Sequence, residues 1–483
     1  MRKFTIFLIF LTQTVLSQTN PGKIWSEYLV NESTSSFGLT ANSFFGSSIS
    51  NIGDFDNDGV EDFVVGADSY LGTGAVWVVL MKSDFTVKNK ILIQSGLSLN
   101  QQDYFGASVT GIGDFDNDGI KDIAVGAPGD TTGGENYGAV YIVKLNSNGT
   151  MKSYHKITSR TSGFIAGDFT GNINFGTSIA YLGDFNSDTY REIAVGAPGK
   201  NSFKGAVWIL SLKNDGTIQT KYQINSATIT GLDNYDGFGT SLAVNSSTIP
   251  TNKLLVGAPL DDGYSRWGSG AIYQVTLNQN LSVNSYSKID ANTYSIDGAL
   301  ADYDQFGNAV CLAGDIDKNG YNDIIAGAYQ CDDKYNASGA FFILFMDYND
   351  QILGIKKISN LQGGLVYDKP AQTQFGSALA PMADMDNNGV PGVVAGMRNF
   401  FGNAVNQGGL SFLNLHGNVT TDSVNNNQYT SVQAWGTVNA NSYLLKVTFE
   451  YRTGSGNWAE SNSSYVFGST DKSVGITLNG LQE

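Results

Sequence analysis

A Phe-Gly pair that recurs at a nearly regular spacing constrains this sequence more than any other feature. Six copies follow one another at intervals of 60 to 70 residues, and in five of them an Asp follows nine residues after the Phe. A Gly then follows twelve residues after that Asp in each of the five. Offsets held constant in this way indicate an internal repeat and a repeat architecture. The pairs begin at Phe45, Phe105, Phe175, Phe238, Phe306 and Phe375.

Each repeat contains four short segments rich in β-branched and aromatic residues, separated by Gly, Asn and Asp. Such segments are typical of antiparallel strands, and four of them in each repeat predict one blade of a β-propeller. We therefore expect an all-β fold with six blades. The segment Lys23-Ile24-Trp25 resembles a fourth strand, so it could complete the last blade and close the ring.

The domain boundaries follow from the repeat. Residues 1–17 carry Arg2 and Lys3 before an apolar run from Phe4 to Leu11, which is typical of a secretory signal peptide. Residues 18–420 form the predicted propeller. Residues 421–483 are either an incomplete fibronectin III-like β segment or a degenerate seventh blade. We predict a secreted, extracellular glycoprotein without direct membrane insertion. Its N-x-Ser/Thr sequons lie at Asn31, Asn148, Asn245, Asn280, Asn336, Asn418 and Asn462.

The net charge and the residue types that are rare in this chain argue against some classes of function. The formal net charge of −16 argues against nucleic acid as a partner, because nucleic acid binding requires basic patches. Only His155 and His416 are present, so a His-rich metal centre is not expected. The two cysteines, Cys311 and Cys331, either form a disulfide or remain free thiols.

Much of the acidity falls in loops that follow the Phe-Gly segments. Oxygen ligands at loop positions 1, 3, 5 and 9, a backbone carbonyl at position 7 and a Gly at position 6 suit Ca²⁺. The two fullest loops contain Asp54, Asp56, Asp58, Val60 and Asp62, and Asp114, Asp116, Asp118, Ile120 and Asp122. We expect these two to bind Ca²⁺ most tightly. Chelation should lower the melting temperature.

Three further loops depart from the pattern by degrees. The third contains Asp184, Asn186, Asp188, Tyr190 and Glu192, with Thr189 in place of Gly. The fifth contains Asp315, Asp317, Asn319, Tyr321 and Asp323. The sixth contains Asp384, Asp386, Asn388 and Val390, but Gly392 replaces its last carboxylate, so the Asp384 site should be the weakest of up to five. The fourth repeat has Asn245 and Ser246 instead and should bind no metal.

The Phe-Gly pairs, the acidic loops and the Gly-Ala-Pro segments that begin at Gly126, Gly196 and Gly257 resemble FG-GAP repeats, as in the N-terminal propeller of integrin α subunits. The resemblance covers roughly residues 22 to 420. It implies calcium loops on one face and ligand contacts on the other, and usually seven blades. The implied ligand face carries aromatic candidates at Tyr70, Tyr137, Phe203, Tyr264, Trp267, Tyr335 and Phe401. Packing against a neighbouring blade is the alternative for these side chains.

We predict a non-enzymatic binding or adhesion module, expected to be a monomer, that recognises an extracellular protein or glycan. A structural matrix scaffold is one alternative. A hydrolase with a site assembled across blades is another, but no Gly-x-Ser-x-Gly nucleophile motif occurs and calcium accounts for the carboxylate clusters.

Overall fold

The computed structural model describes residues 21–244, 253–262, 267–292, 296, 300–385 and 388–415, together with the backbone of seven strands between residues 420 and 479. The predicted signal peptide lies outside the described residues. Several residues with a predicted role, or a predicted lack of one, also lie outside the described residues: Asn245, Ser246, Tyr264 and Asp386, and the sequons at Asn418 and Asn462.

The first three blades are four-stranded antiparallel sheets whose strands follow in chain order. Blade 1 comprises β2 (Phe45–Gly53), β3 (Asp62–Ala67), β4 (Ala75–Met81) and β5 (Val87–Ile93). Blade 2 comprises β6 (Ser108–Gly113), β7 (Asp122–Ala127), β8 (Ala139–Leu145) and β9 (Met151–Ile157). Blade 3 comprises β10 (Ile179–Gly183), β11 (Arg191–Gly196), β12 (Val207–Leu212) and β13 (Ile218–Ile224).

The next two blades repeat this order, and the last blade combines both ends of the ring. Blade 4 comprises β14 (Ser241–Val244), β15 (Lys253–Ala258), β16 (Ala271–Leu277) and β17 (Val283–Asp290). Blade 5 comprises β18 (Val310–Leu312), β19 (Ile324–Ala328), β20 (Ala340–Met346) and β21 (Ile352–Ile358). Blade 6 comprises β22 (Phe375–Met382), β23 (Gly392–Met397), β24 (Gly409–Leu415) and β1 (Ile24–Asn31).

The predicted six-bladed propeller is confirmed, and so is the role of the first strand. The innermost strands of successive blades contact one another around the ring, with β22 returning to β2. Strand β1 pairs antiparallel with β24, from Ile24 opposite Leu415 to Asn31 opposite Gly409. Because an N-terminal strand completes the C-terminal blade, the ring is closed by hydrogen bonds and leaves no open sheet edge at the junction.

The Phe-Gly pairs are conspicuous in the sequence because they join the blades. All six Phe side chains are fully buried, and each Phe forms a parallel bridge with the Gly before the third strand of the preceding blade, such as Phe105 with Gly74. Gly106 has a φ of +93°, and a Cβ there would lie 2.4 Å from the carbonyl oxygen of Ala75. Only Gly therefore permits this close approach of two backbones.

The apolar core lies between the blades. Six clusters of buried side chains each combine residues of two neighbouring sheets, so every blade has an apolar face on both sides. The third strand of blade 1 is buried along its whole length. A sheet buried on both faces produces continuous apolar runs, which explains the Ala-Val-Trp-Val-Val-Leu-Met sequence of β4.

Outside the blades the described elements are few. Two four-residue helices, α1 (Glu32–Ser35) and α2 (Lys200–Phe203), and a 3₁₀ turn (Tyr70–Gly72) lie in connections. The C-terminal strands are β25 (Thr420–Gln428), β26 (Ser431–Val438), β27 (Leu444–Val447), β28 (Glu450–Tyr451), β29 (Ala459–Glu460), β30 (Ser464–Phe467) and β31 (Lys472–Asn479). Of these, β25, β26 and β31 form one sheet. Among the described residues, no helix has the length and apolarity that crossing a membrane requires.

The two cysteines are free thiols in the structure. Both are buried, Cys311 in the cluster between blades 5 and 6 and Cys331 in the cluster between blades 4 and 5.

Candidate metal loops and the opposite face

The two faces of the propeller are defined by the strand connections. Because the strands of a blade are antiparallel, consecutive connections alternate between the two ends of the sheet. Connections from first to second and from third to fourth strands share one end, which we call the acidic face because it carries the predicted metal loops. Connections from second to third strands and between blades share the other end, which we call the aromatic face.

Backbone hydrogen bonds fix the shape of each acidic loop. In the second loop the Asp114 carboxylate accepts from the backbone N–H groups of Asp118 and Gly119, both at 2.9 Å. The Asp118 carboxylate accepts from Ile120 N–H at 2.9 Å. Gly119 has a φ of +87°, a left-handed conformation that Gly adopts without strain. The first loop has the same three bonds, donated by Asp58, Gly59 and Val60.

The fold draws the carboxylates of three loops together. In each group the potential ligand oxygens all lie within 4.8 Å of one another. Such a separation suits several oxygens around one hard cation. The groups are Asp54 with Asp56 and Asp58, Asp114 with Asp116 and Asp122, and Asp315 with Asp317 and Asp323.

Unpartnered oxygens provide a test of whether a cation fits these loops. Asp56 Oδ1, Asp116 Oδ1 and Glu192 Oε1 are buried atoms without a hydrogen-bond partner. A buried acceptor without a partner destabilises a fold unless a ligand or water contacts it. One such oxygen occurs in each of the first three loops, always on a carboxylate of the motif, so the residues present fit a bound cation.

The last carboxylate of the loop is also a structural anchor. Asp122 is 1% exposed and accepts from Phe115 N–H at 3.0 Å and from Leu145 N–H at 2.8 Å. It thereby joins the loop to the end of the third strand. Burial raises the pKa of Asp122 to about 6. Asp62 and Asp323 make the equivalent pair of bonds, and Glu192 makes the first of them.

The third and sixth loops and the connection in blade 4 have sequences that depart from the motif of the first two loops. Thr189 replaces Gly in the third loop and has a φ of +77°. A positive φ strains a β-branched residue, so Thr189 destabilises this loop conformation relative to a Gly at the same position. In the sixth loop Asp384 accepts from Asn388 and Gly389 N–H groups, and the Asn388 side chain donates to Leu415 O. In blade 4 the corresponding connection, residues 245–252, lies outside the described residues.

Neighbouring acidic loops also contact one another through the side chain at loop position 8. Lys121 of the second loop donates to Asp54 O of the first at 2.8 Å. Arg191 of the third loop donates to Asp114 O at 3.2 Å and lies over the Phe115 ring of the second. Glu61 of the first loop accepts from Ala383 N–H of the sixth at 2.7 Å. These contacts could not be predicted from the sequence, since the residues of one repeat do not show which loop lies beside it.

The sequence-predicted aromatic candidates divide into two groups on the aromatic face. Tyr70 and Tyr137 are half-buried and pack on Trp77 and Phe169 respectively. The other described candidates are exposed: Phe203, Trp267, Tyr335 and Phe401.

Three exposed side chains that the sequence analysis did not select extend this set. They are Tyr235, Leu260 and Tyr303, and together with Phe203 and Trp267 they define what we call the blade 4 patch. Phe203 stacks on Tyr235 with ring centroids 5.9 Å apart. Leu260 N–H donates to the carbonyl of the residue after Tyr235, and Tyr303 N–H donates to Trp267 O. These bonds place the four connections that carry the five side chains next to one another, and a Cβ at Gly268 would lie within 4 Å of both the Tyr303 ring and the Leu260 side chain.

Ion pairs with buried carboxylates lie beneath the aromatic face. In blades 2 and 4 a Lys of the fourth strand bonds to an Asp of the second connection and lies over a third-strand Tyr ring. Lys156 contacts Asp130 at 2.5 Å and Lys288 contacts Asp261 at 2.7 Å. The rings are those of Tyr141 and Tyr273. The sequence showed these Lys residues but not their partners.

Comparison with known proteins agrees with this geometry. The FG-GAP repeat family matches residues 45–79, 105–143 and 175–210, which lie in blades 1 to 3. The chain thus contains FG-GAP repeats in these blades and is similar to integrin α subunits. The matched segments run from the blade-joining Phe through the acidic loop to the third strand.

Several integrin α subunits are similar to parts of this chain. Human integrin alpha-11 is 33% identical over 155 residues, 30% of this chain and 11% of that protein. Integrin alpha-3 of Cricetulus griseus is 32% identical over 202 residues, 41% of this chain and 18% of that protein. Integrin alpha pat-2 of Caenorhabditis elegans is 26% identical over 275 residues, 54% and 21% respectively. The chain thus spans about a tenth to a fifth of these relatives.

Proposed function

We propose that this FG-GAP protein is a secreted, non-catalytic adhesion module that recognises an extracellular protein or glycan through its aromatic face. The observation that carries this proposal is the blade 4 patch. Tyr235 and Trp267 are each 65% exposed and Tyr303 is 61% exposed, on loops above a closed, rigid ring. Exposed aromatic side chains that adjoin one another are typical of recognition surfaces, because they bury large area at little entropic cost.

The acidic face has a supporting role in this proposal. Ca²⁺ would be held by the side chains at positions 1, 3, 5 and 9 of the loops, with the carbonyl oxygen of position 7 as a further ligand. The unpartnered Asp56, Asp116 and Glu192 oxygens support this assignment. Bound Ca²⁺ would neutralise the clustered carboxylates and stabilise the loops that contact neighbouring blades.

Secretion and glycosylation complete the proposal. The basic N-terminus followed by an apolar run supports export. Among the described sequons, Asn148, Asn280 and Asn336 are exposed and available for glycosylation. Asn31 is 4% exposed and its side chain caps helix α1, so we do not expect a glycan there.

Binding of the purified chain to intact cells and extracellular matrix tests the function. We expect saturable binding that Trp267→Ala with Tyr235→Ala reduces at least about tenfold, as for central aromatic residues of an interface. Tyr348→Ala is the matched control, because Tyr348 is 71% exposed in the third-to-fourth-strand hairpin of blade 5, on the acidic face. Enzymatic removal of surface glycans or proteins identifies the ligand class. Absent binding by the folded protein, or equal loss in both variants, would contradict the proposal.

A further inference from the structure

Two of the acidic loops contain a positive charge supplied by their own blade. Lys88 Nζ lies 2.7 Å from Asp56 Oδ2 and 2.5 Å from Asp58 Oδ2 in the first loop. Lys152 Nζ lies 3.0 Å from Asp116 Oδ2 and 2.6 Å from Asp118 Oδ2 in the second. The two lysines occupy the same position, the second residue of the fourth strand. Each ammonium therefore bridges loop positions 3 and 5.

The other acidic loops have no lysine at this position. The strand registers place Gln219 in blade 3, Leu353 in blade 5 and Trp25 in blade 6 at the position of Lys88 and Lys152. The lysine thus accompanies the two loops that have Asp at all four side-chain positions. These two loops carry the most negative charge at the ligand positions. A nearby positive charge stabilises them, since four carboxylates in one loop repel one another.

We propose that Lys88 and Lys152 are tethered counter-ions that compete with Ca²⁺ for the carboxylates at loop positions 3 and 5. This inference rests on the proposed calcium binding. The ammonium contacts carboxylate oxygens that a divalent cation at the centre of the loop requires, and two cations so close repel each other. Asp56 Oδ1 and Asp116 Oδ1 remain without a partner beside the lysine contact. One monovalent ammonium therefore compensates the loop only in part.

The lysines can leave the loops without disturbing the core. The side chain of Lys88 is 38% exposed and that of Lys152 is 41% exposed. A flexible four-carbon stem allows each ammonium to move into solvent. In loop 2 a second lysine, Lys144, lies 3.7 Å from Asp116 Oδ2 and adds to the same effect. Two consequences follow: loops 1 and 2 bind Ca²⁺ more weakly than their carboxylate number suggests, and on removal of Ca²⁺ they lose less order than they would without the lysines.

Substitution of both lysines tests the competition. In the full chain, Lys88→Gln with Lys152→Gln introduces the residue that blade 3 has naturally. We expect the Ca²⁺ affinity of two sites to rise about threefold to tenfold, from the loss of exposed ion pairs that oppose binding. The measurements are calcium titration calorimetry and terbium luminescence. In chelator the same variant should melt at a lower temperature than the wild type.

The control is Lys82→Gln, which removes one positive charge from the hairpin that precedes Lys88. Lys82 lies near Asp84 and not at the acidic loop. It should leave affinity unchanged. If the double variant binds Ca²⁺ with unchanged or lower affinity while the wild type binds, the lysines do not compete and this inference alone fails. If neither protein binds Ca²⁺, the calcium assignment fails with it. New sites in the variant that the wild type lacks would support both.

Discussion

Blades 2 and 4 have the same four-stranded sheet but are specialised at opposite ends. Blade 2 carries a complete acidic loop, with Asp122 as its buried anchor and Lys152 as its counter-charge. Blade 4 has Lys253 at the position of Asp122, and this lysine pairs with Asp350 of blade 5. On the aromatic face blade 4 instead contributes Leu260 and Trp267 to an exposed patch.

The difference shows which features the sheet requires and which it tolerates. Both blades keep the fully buried Phe, the bridge to the preceding blade and the ion pair with a buried carboxylate beneath the aromatic face. These contacts hold the ring together. The acidic loop can be lost from a blade without loss of the sheet, and the connections on the other face can vary in length because they lie outside the inter-blade core.

The anchor of the acidic loop should give the largest effect. Asp122→Ala leaves the Phe115 and Leu145 N–H groups without an acceptor in a buried site. We expect the free energy of unfolding to fall by about 2–4 kcal/mol, because each buried unsatisfied group costs about 1–3 kcal/mol. Urea unfolding followed by circular dichroism measures it. Lys253→Ala, at the matching position of blade 4, should cost less than about 1 kcal/mol as an exposed pair. Equal losses would show that the anchor has no special role.

The second-largest effect is expected from removal of Ca²⁺, which should affect blade 2 and not blade 4. We expect chelation to lower the melting temperature by several degrees, because a ligand that binds only the folded state stabilises it. Hydrogen exchange should rise in the acidic loop of blade 2 and stay constant in β15 of blade 4. A melting temperature that chelator leaves unchanged would contradict the metal assignment. Uniform exchange changes in both blades would instead indicate global loosening.

A pH effect is expected from Asp236, in the connection that leads into blade 4. Burial raises the pKa of Asp236 to about 7, and the Asp261 carboxylate adds to the rise. Because the folded-state pKa exceeds the unfolded value, ionised Asp236 destabilises the fold above about pH 7, and this cost disappears as the pH falls toward about 4. Asp236→Asn should therefore stabilise the protein by about 1–2 kcal/mol at pH 8 relative to its effect at pH 5. Urea unfolding at both pH values provides the measurement, and a pH-independent difference would refute the assignment.

The smallest effect is expected from the aromatic face of blade 2. The connection between β7 and β8 spans residues 128–138, whereas the connection between β3 and β4 spans only 68–74. Inserting Gly-Gly after Glu135 should change the free energy of unfolding by less than about 1 kcal/mol, because lengthening an exposed loop costs little entropy. The same insertion after Asn117 would break the bonds to Asp114 and serves as the contrast. Thermal melts of both variants are sufficient; equal destabilisation would remove the distinction between the faces.

The repeat pattern alone predicted six blades, with a seventh left open, and it predicted the strand content, a first strand that could close the ring and the location of the acidic loops. It could do so because each depends on local spacing: Phe-Gly must recur where backbones of adjacent blades touch, and Asp must alternate where a loop wraps a cation. Which residues of different repeats contact one another became known only from the folded ring. It brought Lys88 and Lys152 to the carboxylates, placed Arg191 over the neighbouring loop and assembled Phe203, Tyr235 and Trp267 into one patch. These contacts join residues from separate connections or strands, and no spacing within one repeat specifies them.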